Sequence, residues 1–86
     1  MPHWAYTLDV SDVFHNEDLS FEQIRDAVAA RIRVSPWYAR YGGEGTDLGD
    51  VVEELAEADS VNNFDWTWNE IYNLADKDRC WIITRS

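Results

Sequence analysis

Apolar and polar residues alternate at the start of the chain. Trp4, Tyr6, Leu8 and Val10 interleave with His3, Ala5, Thr7 and Asp9, and a period of two is that of a strand with one buried face. The polar stretch SDVFHNEDL, residues 11–19, reads as a loop. From Ser20 the period changes. Phe21, Ile24, Val28 and Ile32 recur at three- and four-residue steps, which predicts an amphipathic helix with Glu22, Arg25, Ala29 and Arg33 facing outward. Its start is doubly marked. Ser20 and Gln23 have the spacing of a capping box, and Leu19 and Ile24 occupy the two positions of a hydrophobic staple.

Ser35 followed by Pro36 predicts a second, short helix through WYARY, because proline is preorganised for the first helical position. The stretch GGEG then breaks the chain. A third helix is expected over DLGDVVEELAEAD, residues 47–59, where Leu48, Val51, Val52 and Leu55 share one face. Further on, Thr67 and Glu70 have capping-box spacing with Trp66 and Ile71 as the staple, so a fourth helix is expected from Thr67 to about Asp76. The β-branched and aromatic run CWIIT suits a closing strand.

The fold class implied is α+β, one domain over residues 1–86, with a small sheet made by the N- and C-terminal strands and covered by three to four helices. Two strands alone are a marginal sheet. Either a short third strand lies around VNNF, residues 61–64, or a second copy of the chain completes the edge, which makes a homodimer one expectation. Whether the terminal strands run parallel or antiparallel is left open by the pattern.

A chain of 86 residues buries only about 60 to 65% of the surface its unfolded form exposes. Its five tryptophans are therefore read first as core filling, since large flat side chains remove much apolar area from water. The single cysteine, Cys80, allows no intrachain disulfide and suits a reducing compartment. The N-terminus lacks a signal-peptide pattern, and apolar runs such as AVAA and CWII are too short to span a bilayer. A soluble, cytoplasmic protein is expected.

Charge changes the picture more than composition does. The net charge is −10, and it is unevenly placed: residues 44–65 carry eight acids and no base, residues 25–41 carry four arginines against Asp26, and after residue 65 the signs cancel. Such a protein repels nucleic acid and anionic membrane at long range and attracts a basic partner. Helical rotation gathers Asp47, Asp50, Glu53, Glu54 and Glu57 into an arc of about 120° opposite the apolar face. The pairs Asp50/Glu54 and Glu53/Glu57 are like charges four residues apart, each unfavourable by roughly 0.2 to 0.5 kcal/mol in an isolated helix. Acids in the first turn suit the helix dipole. Glu54 and Glu57 lie beyond its reach.

Carboxylates at these steps are spaced about 4.5 to 6 Å along the helix axis, loosely comparable to the roughly 3.4 Å phosphate spacing of a DNA strand. Two functional expectations follow: a solvated or protein-binding acidic face, and a DNA mimic that occupies a nucleic-acid groove on another protein. Beside the acidic helix lies one basic and aromatic island, Arg33, Trp37, Tyr38, Arg40 and Tyr41. These residue types are enriched at binding hot spots, and the bland alternative has Trp37 and Tyr41 packing inward while the arginines pair with the acidic helix.

Catalytic and metal chemistry find little support in the spacing. His15 and its acidic neighbours do not follow a calcium-loop or HExxH pattern, and Asx-stabilised turns explain them. Cys80 with His3 could form a nucleophilic pair if the terminal strands are neighbours, although a small buried thiol is the commoner situation. No phosphate-loop, dinucleotide or GxSxG motif is present. No cofactor and no metal are expected.

Over WAYTLDV-SDVFHNEDLSFEQIRDAVAARI, roughly residues 4–34, the chain resembles a family of small proteins of unassigned function encoded by phages of actinobacteria. The resemblance implies no fold and no catalytic residue. It implies expression in the cytoplasm of a bacterial host, where small non-enzymatic phage proteins often act by binding host proteins. The combined expectation is a non-enzymatic phage accessory protein that binds a basic host protein through Asp47, Asp50, Glu53, Glu54 and Glu57 together with Trp37, Tyr38, Arg40 and Tyr41. The alternative is the DNA mimic.

Overall fold

The computed structural model describes residues 3–84. Along the chain run β1 (Tyr6–Asp9), α1 (Ser11–Phe14), α2 (Phe21–Arg33), α3 (Pro36–Tyr41), α4 (Asp47–Ala56), α5 (Val61–Lys77) and β2 (Cys80–Ile83). This is an α+β arrangement in which the two terminal strands form the sheet and the helices lie between them in sequence. The strands pair in parallel, with Tyr6 opposite Cys80 and Asp9 opposite Ile83. Among the described residues no helix is long and apolar enough to cross a membrane.

Local signals set most of the elements. Ser20 caps α2 as its spacing predicts: the Ser20 hydroxyl accepts from the Gln23 amide at 3.2 Å, and the Gln23 side chain accepts from the Ser20 amide at 2.9 Å. Leu19 and Ile24 both pack against the core. In the same way the Ser35 hydroxyl accepts from the Tyr38 amide, with Pro36 opening α3. Ala29, expected outward, is buried. Because α2 packs against α1, α3 and α4, it buries a wider arc than a one-sided helix, and alanine permits the close approach.

Three expectations are corrected. The loop over residues 11–19 contains the one-turn helix α1, anchored where Asp9 accepts from both the amide and the hydroxyl of Ser11. The stretch VNNF is not a strand but the first turn of α5. That helix begins six residues before the expected Thr67, because Ser60 caps it by accepting from the Asn63 amide. Thr67 therefore lies inside the helix, its hydroxyl donating back to the Asn63 carbonyl at 2.9 Å, and Trp66 is no staple.

The core runs from Leu8 and Val10 through Val28, Ile32, Val52 and Leu55 to Ile71 and Ala75. Trp37 sits within it, fully buried. Its indole Nε1 donates to the Asp78 carboxylate at 2.9 Å, so the buried donor is satisfied across the fold. A second aromatic group joins α1 and α2 to α5: Phe14, Phe21 and Trp68 gather round Phe64 at centroid distances of 5.9 to 6.2 Å.

The entry to β2 depends on Arg79, a non-glycine residue with φ 60°. Its conformation turns the chain after α5. The Arg79 carbonyl then accepts from the amides of both Ala5 and Tyr6, which sets the register of the parallel pair.

Two outcomes follow for stability. Asp78→Ala leaves the Trp37 indole buried without an acceptor and is expected to cost about 1 to 3 kcal/mol, whereas Asp78→Asn keeps an acceptor and should cost less; urea unfolding of the two variants measures the difference. The second concerns the pairing of Asp12 with Arg31 at 2.9 Å. The hydrogen bond from Arg31, then its charge, holds the Asp12 carboxyl below its ordinary value of 3.8. A lowered folded-state value means stability that is present above the unfolded value and lost as pH falls through the folded one. Asp12→Asn should thus be less stable than the parent at neutral pH, and denaturation midpoints of the two should converge as pH falls below about 4.

Candidate acidic interaction face

The sequence of α4 decides which of its faces is free. Leu48, Val52 and Leu55 are buried and Val51 partly so, and this fixes the rotation of the helix against α2 and α5. Asp47, Asp50, Glu53 and Glu54 are then all exposed, as is Glu57 at the C-cap. Among the described residues the ion pairs are Arg25 with Asp26 and Arg31 with Asp12. Neither involves α4. The expectation that the arginines of the basic island pair with the acidic helix is therefore corrected: Arg33 and Arg40 lie beyond ion-pair distance of its carboxylates.

The N-terminal end of α4 is held by a hooked loop. The Thr46 hydroxyl accepts from the Gly49 amide at 2.9 Å and donates to the Gly43 carbonyl at 2.8 Å. Gly43 and Gly45 both have positive φ, so the loop needs them. Gly49 has a different reason to be glycine. A Cβ at that position would collide with the Gly43 carbonyl oxygen, which packs directly against the helix backbone.

The aromatic residues expected beside α4 divide. Trp37 is withdrawn into the core and offers nothing at the surface. Tyr38 is partly buried and, with Arg33, Asp50 and Glu53, borders a shallow groove of about 300 Å³ between α3 and α4. Tyr41 is 41% exposed and borders another depression with Asp47 and Lys77. It packs edge-on against Tyr6 at 6.0 Å, and Arg40 lies 5.8 Å from its ring centroid. The structure thus brings Tyr38 and Tyr41 beside the acidic face, while Arg40 is placed only against the Tyr41 ring.

At the other end stands a residue that the pattern had assigned to a helix start. Trp66 is 64% exposed. With Glu54, Glu57, Asp59 and Asn63 it lines a groove of about 350 Å³ between α4 and α5. Its position was readable from α5's own buried stripe. Phe64, Thr67, Ile71 and Ala75 recur at helical spacing, and two residues beyond Phe64 is about 200° round the helix, on the outward side.

The chemistry available here is recognition by charge and by aromatic contact. Cys80 is buried, and burial followed by the charge of Asp78 pushes its thiol up to about 11, so it stays protonated at neutral pH and is a poor nucleophile. Among the described residues no three His, Cys, Asp or Glu side chains converge as a metal-holding group.

Gly49→Ala tests the loop that positions this face. Helix propensity alone favours alanine by about 1 kcal/mol, yet the collision with Gly43 should reverse the sign and give a net loss of about 1 to 3 kcal/mol, the range for overpacking. Thermal unfolding of the variant, with Gly43 and Gly45 left intact, measures it.

Compared with protein-family models, with curated proteins and with solved structures, the chain has no match.

Proposed function

We propose that this protein is a non-enzymatic accessory protein that binds a basic surface on another protein, with α4 as the charged element and the flanking aromatic residues as anchors. One observation carries the proposal: five carboxylates stand exposed on α4 and its C-cap, and no cation among the described residues closes on any of them. Unrelieved repulsion of this kind works against stability and is offset when a cationic partner arrives. Tyr38 and Tyr41 at one end and Trp66 at the other supply the large side chains that give such a contact strength beyond screened charge.

A phage origin, as the sequence of residues 4–34 suggests, would make a host protein of the bacterial cytoplasm the partner. Direct binding to nucleic acid is opposed by the net charge of −10, since the phosphate backbone would be repelled.

Affinity capture from an actinobacterial lysate, washed at low and at moderate salt, followed by titration of the partner so identified, tests the proposal. Asp50→Asn, Glu54→Gln and Glu57→Gln combined should weaken binding at least about tenfold, or 1.4 kcal/mol. If the bound proteins bind nucleic acid and leave as salt rises, the face acts as a DNA mimic. If one partner persists and Trp66→Ala releases it, an aromatic-centred contact carries the affinity. Retention of every partner by the triple variant overturns the role given to α4.

A further inference from the structure

The groove between α4 and α5 is built from two helical stripes. On the α4 side Glu54 and the C-cap residue Glu57 stand three residues apart, the spacing of neighbours on one helix face. On α5 Asn63, Trp66 and Thr67 are related by the same three- and four-residue steps. Ala58 and Thr67, both buried, form the floor. Asp59 closes the end where the two helices join, held by the Asn63 side-chain amide, which donates to its carboxylate at 2.6 Å. The groove therefore has a carboxylate wall, an indole wall and a floor of small side chains.

Trp66 is the unexpected member of this set. Tryptophan removes more apolar area from water than almost any other side chain when buried, and Trp37 is withdrawn completely, yet Trp66 stays largely exposed. Among the described residues its ring joins no aromatic pair and no arginine lies over it. Tyr41, the other exposed aromatic residue beside α4, is by contrast engaged by both Tyr6 and Arg40. The carboxylates opposite Trp66 are equally unmatched. Among the described residues the cations in ion pairs are Arg25 and Arg31, which close on Asp26 and Asp12. Arg25 also reaches the connector between α4 and α5, where it donates to the Ala58 carbonyl and not to a carboxylate of the groove.

We infer that the groove takes one arginine side chain of the partner, its guanidinium stacked on the Trp66 indole and its N–H edge donating to Glu54 and Glu57. This rests on the reading of α4 as the partner-binding face, and it names the group that the face selects. Charge complementarity sets the sign of the occupant: an electron-rich ring stands across from Glu54 and Glu57, with Asp59 at the end. An apolar occupant would strip water from those carboxylates without pairing them. Shape chooses arginine over lysine. A planar guanidinium offers the indole a flat face and the carboxylates a forked edge of donors at the same time, and it is more weakly hydrated than an ammonium. An ammonium is a compact charge that has no such face. At about 350 Å³ the groove lies near the lower end of the range of about 300 to 1,000 Å³ for ligand pockets, which suits a side chain.

Two end-capped glycine peptides, one carrying three arginines and the other three lysines, are the probes. Each is titrated at low salt into the full chain while nuclear magnetic resonance follows the α4 amides and the Trp66 indole N–H, assigned by its loss in Trp66→Phe. The arginine peptide should shift the Trp66 indole and bind about two- to fivefold more tightly than the lysine peptide. Trp66→Leu, a change at an exposed position that leaves the fold intact, should abolish that preference while both peptides still shift the α4 amides. Glu54→Gln with Glu57→Gln should weaken both. Equal affinity for the two peptides, or a preference that survives Trp66→Leu, overturns the arginine site and leaves α4 standing as a general charged face. No shift on α4 with either peptide overturns the attraction on which both readings rest.

Discussion

Everything in this fold is subordinate to the parallel pairing of β1 with β2. Antiparallel neighbours can be joined by a tight turn, but parallel strands require the chain to return to the end from which it started, and that needs a crossover. Here all five helices lie within the one connection between Asp9 and Cys80. They are therefore both the crossover and the cover for the inner face of the sheet, where Leu8, Val10 and Cys80 are buried. The left-handed backbone of Arg79 completes the return, because its carbonyl receives the amides of Ala5 and Tyr6. A strained residue is tolerated where the alternative is an unregistered strand.

The acidic face follows from that packing rather than standing apart from it. Once Leu48, Val52 and Leu55 enter the core shared with α2 and α5, the rotation of α4 is fixed, and the five carboxylates have no direction left but outward. The hook of Thr46 over Gly43, admitted by the bare backbone of Gly49, fixes where the helix begins. A protein whose only requirement was stability would place lysine or arginine among those acids. Its arginines serve elsewhere instead: Arg31 holds Asp12 and the Asp9 carbonyl, and Arg25 donates to the Ala58 carbonyl and pairs with Asp26. They bind elements together, and among the described residues none pairs with a carboxylate of α4.

Where the sequence was legible, the determining contact was local. The capping box of α2 spans four residues, the Ser35-Pro36 start of α3 two, and the apolar stripe of α4 repeats within ten. Misreadings arose where two local signals competed. Thr67 and Glu70 satisfy a capping-box pattern, yet so does Ser60 ahead of Asn63 satisfy a simple cap, and only the burial of Phe64 against Phe14 and Phe21 selects the longer helix. That choice carried Trp66 from an assumed staple to an exposed position beside Glu54 and Glu57. The island of Arg33, Trp37, Tyr38, Arg40 and Tyr41 was divided for a similar reason. Which of the three aromatic residues on α3 turns fully inward depends on an acceptor 41 residues away, Asp78.

By itself the sequence determined the α+β class, the terminal origin of the sheet, the starts of α2 and α3 and the outward set of carboxylates, because periodicity and caps act over a few residues and need no knowledge of neighbours. Tertiary structure alone decided that the strands are parallel, that Trp37 is buried and Trp66 exposed, and that among the described residues no arginine pairs with the carboxylates of α4. Each of these depends on which distant surfaces meet, and burial, ion pairing and strand pairing are properties of two segments at once.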